Sequence, residues 1–588
     1  MRIGNKNGFR NIKPIAKRII SANTIAIVIV FLFLFANTFK VALFNKELTD
    51  TSATLSFSLA NSGFFIKFLL NCFLFVLLLR WKRPFLFIIF YVFQSIYMYA
   101  NLSYHYYFEG YLHINQYIGL FSEAFGLFKH AALPQNTFYW LLLMDVPLFI
   151  GILFMYSKVA FLNKHSIRYK AFFALSAVLV LFLFKAESVD SVAKPLTIMD
   201  DSYSSDNAIV QKYGLLAYNI ADMLKYRDTR CRINSLNYGQ EIGAGATDSA
   251  YPNVIVIQVE SMDSYIINFK HKNAYVMPYL HSLCQKSVFY PFVLSYHKAG
   301  STSDCEFSII NSVEPFDDYP AIKIRNYDYP NSMLKPFHAA RYDVLAFHGN
   351  RGTYFNRNSA LKKMGFQTFY DMLAMGLEEK GWGASDGDVF DFVKNKLRDQ
   401  KGPFFYYVIT MTSHEPFIFA KLYYATDAFN DIGDAIAKNY FTSMSYVDDQ
   451  IKRFIGHVRD KFPNTYFYIY GDHSPPIVEN SVYKRAAFTD DGNLFEFVPL
   501  LILTPDETIY QERNQIASFL DLAPTVLPAA KIAFKIKSNG TNLFSYSCNK
   551  DAIPYKGETY SRADLFKKMR SGNKPGSTNV GVGLQAAR

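Results

Sequence analysis

Asn253-Val-Ile-Val-Ile-Gln-Val-Glu260-Ser261 is the stretch on which the reading of the fold turns. Its β-branched residues run on without polar alternation, as in a strand buried on both faces, and such strands belong to sheets covered by helices on each side. Four more runs share this character: Asp343–Phe347, Phe404–Met411, Thr465–Tyr470 and Val498–Leu503. Helical patterns such as Asn439–Arg459 separate some of them. Strands alternating with helices predict an α/β domain with a mostly parallel central sheet over residues 251–548. Several runs end in a residue able to bind a metal or a phosphate. Val259 gives Glu260, Phe347 gives His348, Met411 leads to His414, and Tyr470-Gly471 gives Asp472-His473. Ligands gather at the carboxyl ends of strands in open α/β sheets, so four such endings predict one shared site.

Each ending also has a plain structural reading. An acid after a buried strand, such as Glu260, commonly faces solvent or caps the next helix. Asp472 and His473, freed by Gly471, offer an oxygen and a nitrogen to one ion, but an Asp in a turn also caps backbone N–H groups. Ser295-Tyr-His-Lys-Ala-Gly-Ser-Thr302-Ser-Asp-Cys-Glu-Phe307 fits a Ser/Thr turn opening a helix. The functional reading places Thr302 at that helix N-terminus, where the dipole favours an alkoxide and an incoming phosphate.

The N-terminal third differs in kind. Apolar stretches at Ser21–Phe44, Phe64–Leu79, Pro84–Tyr104, Thr137–Ala160 and Tyr169–Lys185 are each near the ~20 residues a membrane-crossing helix needs. Residues 1–190 carry 18 Lys and Arg against 7 Asp and Glu, whereas the remainder is nearly balanced at 43 against 42. The net charge of +12 therefore concerns membrane orientation, and nucleic-acid binding is excluded as a reading. Lys and Arg cluster before the first stretch and in the second and fourth connections, which puts the N-terminus in the cytoplasm. The expected organisation is a five-helix membrane domain over 1–185, an amphipathic linker over 186–250, an extracytoplasmic catalytic domain over 251–548 and a poorly ordered tail over 549–588. Cys231, Cys284, Cys305 and Cys548 fall in the exported part, where disulfides persist, and sequence cannot choose their pairing. Their presence favours the periplasm outside a cell inner membrane.

Taken together, 253–261, Met277-Pro-Tyr-Leu-His-Ser-Leu283, 296–307, 347–357, 410–417, 470–473 and Asp521-Leu-Ala-Pro-Thr525 resemble the lipoteichoic acid synthase and periplasmic phosphoglycerol transferase family of the alkaline phosphatase/sulfatase superfamily. The resemblance implies that Glu260, Thr302, Asp472 and His473 bind one metal ion and that Thr302 is also the nucleophile. It implies that Arg357 holds the substrate phosphate and that His414 stands by the leaving oxygen. It places His348, Asn350, Phe355 and Asn356 in a loop that helps form the headgroup pocket. The family has tryptophan where Phe355 stands and an acid where Asn350 stands, and both departures bear on the headgroup and the acceptor. This hard ligand set suits Mn²⁺ or Mg²⁺, with Zn²⁺ remaining open. Arg357 is expected to clamp phosphoryl oxygens bidentately.

The expected reaction is a two-step transfer of phosphoglycerol from a membrane phospholipid, phosphatidylglycerol, to a glycan or polymer hydroxyl through a covalent Thr302 intermediate. A phosphoethanolamine transferase shares this logic, and a phosphodiesterase or sulfatase-like hydrolase would pass the group to water. A noncatalytic membrane sensor on the same fold is the reading from outside enzymology. Oligomeric state and acceptor identity are not legible.

Overall fold

The computed structural model describes the chain almost continuously from 215 to 544 and again from 551 to 572, with 84–108 and scattered positions between 35 and 150 and at 210. Two compact units divide it: residues 1–113 with 134–221, and residues 114–133 with 222–588.

In the first unit, helix Pro84–Phe108 lies on the third expected span. It carries Gln94, Ser95, Asn101 and a series of tyrosines, and among the described residues no helix is long and apolar enough to cross a membrane. The expected span at 84–104 is thus helical without being apolar throughout. The expectations at 21–44, 64–79 and 169–185 lie outside the described residues apart from a few positions within 35–44, and that at 137–160 is described over 141–147 and at 150, including the short helix Leu141–Met144. Lys40 is buried, with Nζ 2.6 Å from Asp145 Oδ1 and 2.6 Å from Ser95 Oγ.

The second unit is built on the opening stretch. Strand Asn253–Val259 lies between Thr465–Gly471 and Phe404–Ile409 and is parallel to both. Val254 and Val256 enter one hydrophobic core while Ile255, Ile257 and Val259 enter the other, which is why the run shows no polar alternation. Helix Thr302–Asn311 packs into the first core and the long helix Ala435–Lys461 into the second. Across the sheet the order is Gln511–Glu512, Val288–Leu294, Asn493–Leu503, Thr465–Gly471, Asn253–Val259, Phe404–Ile409, Asp343–His348, Thr368–Tyr370.

The sheet is mostly parallel, as expected, although Asn493–Leu503 runs antiparallel to both neighbours and makes it mixed. No helix is assigned among the described residues between Gly471 and Asn493, and a return without a crossover helix brings a strand back in the opposite sense. Two expectations are corrected. The linker assigned to 186–250 contains helix Leu215–Arg232, but Gln240–Ala244 pairs with Phe534–Ser538 and belongs to the second unit. The tail assigned to 549–588 is ordered to 572. Ala552–Tyr555 pairs with Glu558–Ser561, helix Arg562–Gly572 follows, and Ile553, Tyr555, Leu565 and Met569 join the first core. Their spacing by two on the strand and by four on the helix is an amphipathic signal that the polar composition masked. Cys231, Cys284 and Cys305 are free thiols, the last two buried, and Cys548 lies outside the described residues.

Candidate metal centre and active site

The carboxyl ends of two adjacent parallel strands bring Glu260 beside Asp472 and His473. Gly471 is required there: a Cβ would stand 1.8 Å from the Met262 carbonyl oxygen. Glu260 is held from both sides, its N–H donating to Thr410 Oγ1 at 3.0 Å and its carbonyl accepting from Ser413 Oγ at 2.6 Å. Asp472 Oδ1 accepts from the N–H groups of Ser261 at 2.8 Å and His473 at 2.7 Å. His473 Nδ1 lies 2.9 Å from the Ser474 carbonyl, so Nδ1–H donates and Nε2 faces the acids, 3.0 Å from Glu260 Oε1.

Thr302 opens helix Thr302–Asn311, every residue of which is buried. Its Oγ1 lies 3.3 Å from Glu260 Oε2. Asp304 fixes the preceding turn by accepting from Gly300 N at 2.8 Å and Lys298 N at 3.1 Å. A Cβ at Gly300 would meet Asp304 Oδ1 at 2.1 Å, so glycine is needed for that turn to close.

These residues fit a divalent cation. One ligand atom from each of Glu260, Asp472 and His473 lies within 4.8 Å of the others, and all three residues are buried. Asp472 Oδ2 is buried and has no hydrogen-bond donor, an arrangement that is costly unless a cation faces it. The charges are strained in the same sense. Burial and the Glu260 charge push the Asp472 carboxyl well above its usual range. Burial would also raise Glu260, but the charge and hydrogen bond of His473 outweigh it and hold that carboxyl below its usual range. Burial lowers His473 while the two acids more than compensate, carrying it up to about 10. Two buried carboxylates sharing one imidazole attract further positive charge.

Arg357, at the start of helix Arg357–Met364, is also buried. Its Nε lies 2.9 and 3.1 Å from the two oxygens of Glu306, and Nη2 lies 2.6 Å from Oε1. The Nε–Nη2 edge is taken by Glu306, which leaves Nη1 and the second Nη2 hydrogen, so the expected bidentate clamp would use the Nη1–Nη2 end. Glu306 had no role in the sequence reading. Its position one helical turn after Thr302, on the same face, was the available signal.

The remaining predicted residues are placed as follows. His348 is buried with Nδ1 3.1 Å from the Ile409 carbonyl; burial and the charge of Arg357 lower its pKa to about 3, so it stays neutral with a lone pair on Nε2. Phe355 (φ +54°) and Asn356 (φ +60°) both occupy the left-handed region just before Arg357, a conformation that surrounding contacts must impose on non-glycine residues. The Phe355 ring lies 5.4 Å from Arg357 Cζ and 4.6 Å from Lys323 Nζ. Asn356 Nδ2 donates to the Ile322 carbonyl at 3.1 Å. Asn350 Oδ1 accepts from the Arg351 N–H at 2.7 Å, so this amide shapes its own loop. His414 is half-buried, with Nδ1 2.8 Å from the Glu415 carbonyl. Asp521, within the last quoted motif, serves structure: its carboxylate pairs with Arg562 and caps Ser518 N at 2.8 Å.

A mixed α/β sheet with an acid and an acid–histidine pair at its strand ends, together with a helix-opening threonine, is an arrangement that fits a class of phosphate- and sulfate-ester enzymes. The Sulfatase family matches residues 252–532, and the lipoteichoic acid synthase N-terminal domain matches residues 9–233. These matches support a lipoteichoic acid synthase-like protein of the alkaline phosphatase/sulfatase superfamily. It is 28% identical over 319 residues to lipoteichoic acid synthase 2 of Bacillus subtilis, covering 52% of this chain and 48% of that one. It is 28% identical over 334 residues to lipoteichoic acid synthase of Staphylococcus aureus, covering 53% and 50%. The chain thus spans about half the length of the curated relatives it matches. Its fold is similar to that of an integral membrane lipooligosaccharide phosphoethanolamine transferase from Neisseria meningitidis, at 15% identity and a TM-score of 0.56, covering 88% of this chain and 97% of that one.

Proposed function

We propose that this chain is a membrane-anchored, metal-dependent phosphoglycerol transferase that moves its group through Thr302. The observation that carries the reading is the position of Thr302 Oγ1 at the first residue of a buried helix, 3.3 Å from Oε2 of Glu260, whose carboxylate clusters with Asp472 and His473. Glu260, Thr302, Asp472 and His473 are the residues to hold the cation, with Mn²⁺ preferred and Mg²⁺ or Zn²⁺ as the other candidates. When bound, such an ion makes the hydroxyl more acidic and neutralises charge on the phosphoryl oxygens.

Thr302 Oγ attacks the phosphorus of phosphatidylglycerol and the bond to the diacylglycerol oxygen breaks. The proton Thr302 loses is matched by the one the glyceride oxygen gains. His414 is the residue to deliver it, with Nδ1 turned to the Glu415 carbonyl. An acceptor hydroxyl on an envelope glycan then attacks phosphorus, the Thr302–phosphorus bond breaks, and the threonine hydroxyl is restored. Arg357 holds the phosphoryl oxygens from its Nη1–Nη2 end. Neutral His348 accepts from a headgroup hydroxyl, the Phe355 ring supplies the pocket wall, and Asn350 and Asn356 shape the loop that carries them.

The anchor belongs to the same proposal: the apolar N-terminal stretches hold the catalytic domain outside the cytoplasm beside the lipid donor. The likeness in fold to an integral membrane transferase supports it. A direct test reconstitutes the full chain with Mn²⁺ in vesicles holding either phosphatidylglycerol or phosphatidylethanolamine, each labelled in the headgroup. Headgroup transfer with diacylglycerol release from phosphatidylglycerol is expected. Release from phosphatidylethanolamine alone would overturn the glycerol assignment.

A further inference from the structure

His297 stands between the nucleophile and the metal-ligand loop, and neither the sequence reading nor the reaction above uses it. Its ring stacks on that of His473, with centroids 4.2 Å apart and planes 14° from parallel. Nδ1 lies 3.2 Å from Glu496 Oε2 and Nε2 lies 3.0 Å from Ser301 Oγ. Glu496 is buried on strand Asn493–Leu503 and receives Arg485 Nη1 at 2.9 Å. Burial would raise its pKa, but the hydrogen bond from His297 and the charges around it keep it below its usual value, so it accepts from His297 as a carboxylate. That assigns the proton to Nδ1 and makes Nε2 the acceptor for the Ser301 hydroxyl.

Ser301 is the residue before Thr302, with φ +50° and ψ −133°. A side chain there is strained, and its hydroxyl makes no capping bond to the helix it precedes. The bond to His297 accounts for a serine at a position where glycine would be less strained: it ties the turn that aims Thr302 to the ring that sets the plane of His473. Arg485 closes the loop by also reaching the Pro475 carbonyl at 3.4 Å, just beyond His473.

We propose that His297 is a positioning residue, oriented by Glu496, that fixes the nucleophile turn through Ser301 and the metal ligand His473 through ring stacking. The proposal rests on the metal-site reading above, and its first readout, binding of Mn²⁺ alone, does not depend on which headgroup is moved. In the full-length protein, His297→Ala is expected to weaken Mn²⁺ binding about 10–100-fold, the scale found when groups supporting metal ligands are removed. At saturating Mn²⁺ it is expected to lower kcat with little change in KM for the lipid. Ser301→Ala, a milder change that keeps the ring stack, is expected to lower kcat while leaving Mn²⁺ affinity unchanged. His297→Phe, which keeps a flat ring on His473, is expected to recover Mn²⁺ affinity but not kcat. Mn²⁺ affinity and kcat within about twofold of the parent in His297→Ala, or an undiminished kcat in Ser301→Ala, would overturn the proposal. If Mn²⁺ binds the parent protein no more tightly than it binds Asp472→Asn, the metal-site reading fails instead.

Discussion

Arg357 gives Nε and Nη2 to the carboxylate of Glu306 at 2.6–3.1 Å, and neither residue reaches solvent appreciably. The pair fixes the guanidinium one helical turn below Thr302 and decides which edge remains for substrate. Glu306→Gln is therefore expected to destabilise the protein by about 3–5 kcal/mol, the usual result of stranding one member of a buried pair. Because a misplacement of about 1 Å costs on the order of 10²-fold in rate, kcat should fall by a similar factor. Denaturant unfolding and steady-state kinetics on the same preparation check both. Stability and kcat equal to the parent would show that Arg357 is positioned by something else.

With no cation facing it, burial and the charge of Glu260 disfavour the Asp472 carboxylate. Asp472→Asn keeps an oxygen for the N–H groups of Ser261 and His473 and removes the repulsion from Glu260. In chelator, the variant should be more stable than the parent; with Mn²⁺, the parent should be stabilised and the variant should not. Thermal unfolding with and without the ion separates these outcomes. Equal stabilisation of both proteins by Mn²⁺ would place the ion elsewhere.

His348 gives a pH dependence whose sign is fixed. Its folded pKa, about 3, lies below the ordinary value of 6.5, so the folded state binds fewer protons than the unfolded chain between them. Its contribution to stability is complete above pH 6.5 and is lost as pH falls toward 3, at about 1 kcal/mol per pH unit within that window. His348→Gln should flatten the stability profile there, which denaturant titrations at several pH values would measure. An unchanged slope would mean that the buried imidazole is protonated in the folded state.

Arg562 tests the ordered tail. Its Nη1 and Nη2 lie 2.7 and 2.9 Å from the two oxygens of buried Asp521. Arg562→Ala should cost about 3–5 kcal/mol, and a chain ending at 549 should be more sensitive still to protease. Resistance equal to the full chain would make the last hairpin and helix dispensable.

Much of this was legible because burial leaves a pattern. The unbroken apolar run at 253–259 records two covered faces, and acids or histidines at strand ends record a shared edge, so Glu260, Asp472 and His473 could be named together. Other features left a weaker trace. Glu306 looked like any acid within a helix, because its worth depends on Arg357, which is distant in sequence. His297 differs from a satisfied core histidine only through a ring stack and a bond to a strained serine. The opposing strand Asn493–Leu503 is as apolar as its neighbours, so composition carried no mark of its direction. The tail was misjudged because four apolar residues at strand and helix spacing were averaged with a polar surround.

The central claim is that Thr302 carries the transferred group, and it can be tested by mass. The full chain should be mixed with Mn²⁺ and glycerol-labelled phosphatidylglycerol, without acceptor, then acid-quenched, digested and examined by mass spectrometry. A phosphoglyceryl group on the peptide containing Thr302, absent from Thr302→Ala and lost on adding acceptor, is predicted. Undiminished headgroup transfer by Thr302→Ala, or the adduct on another residue, would contradict it.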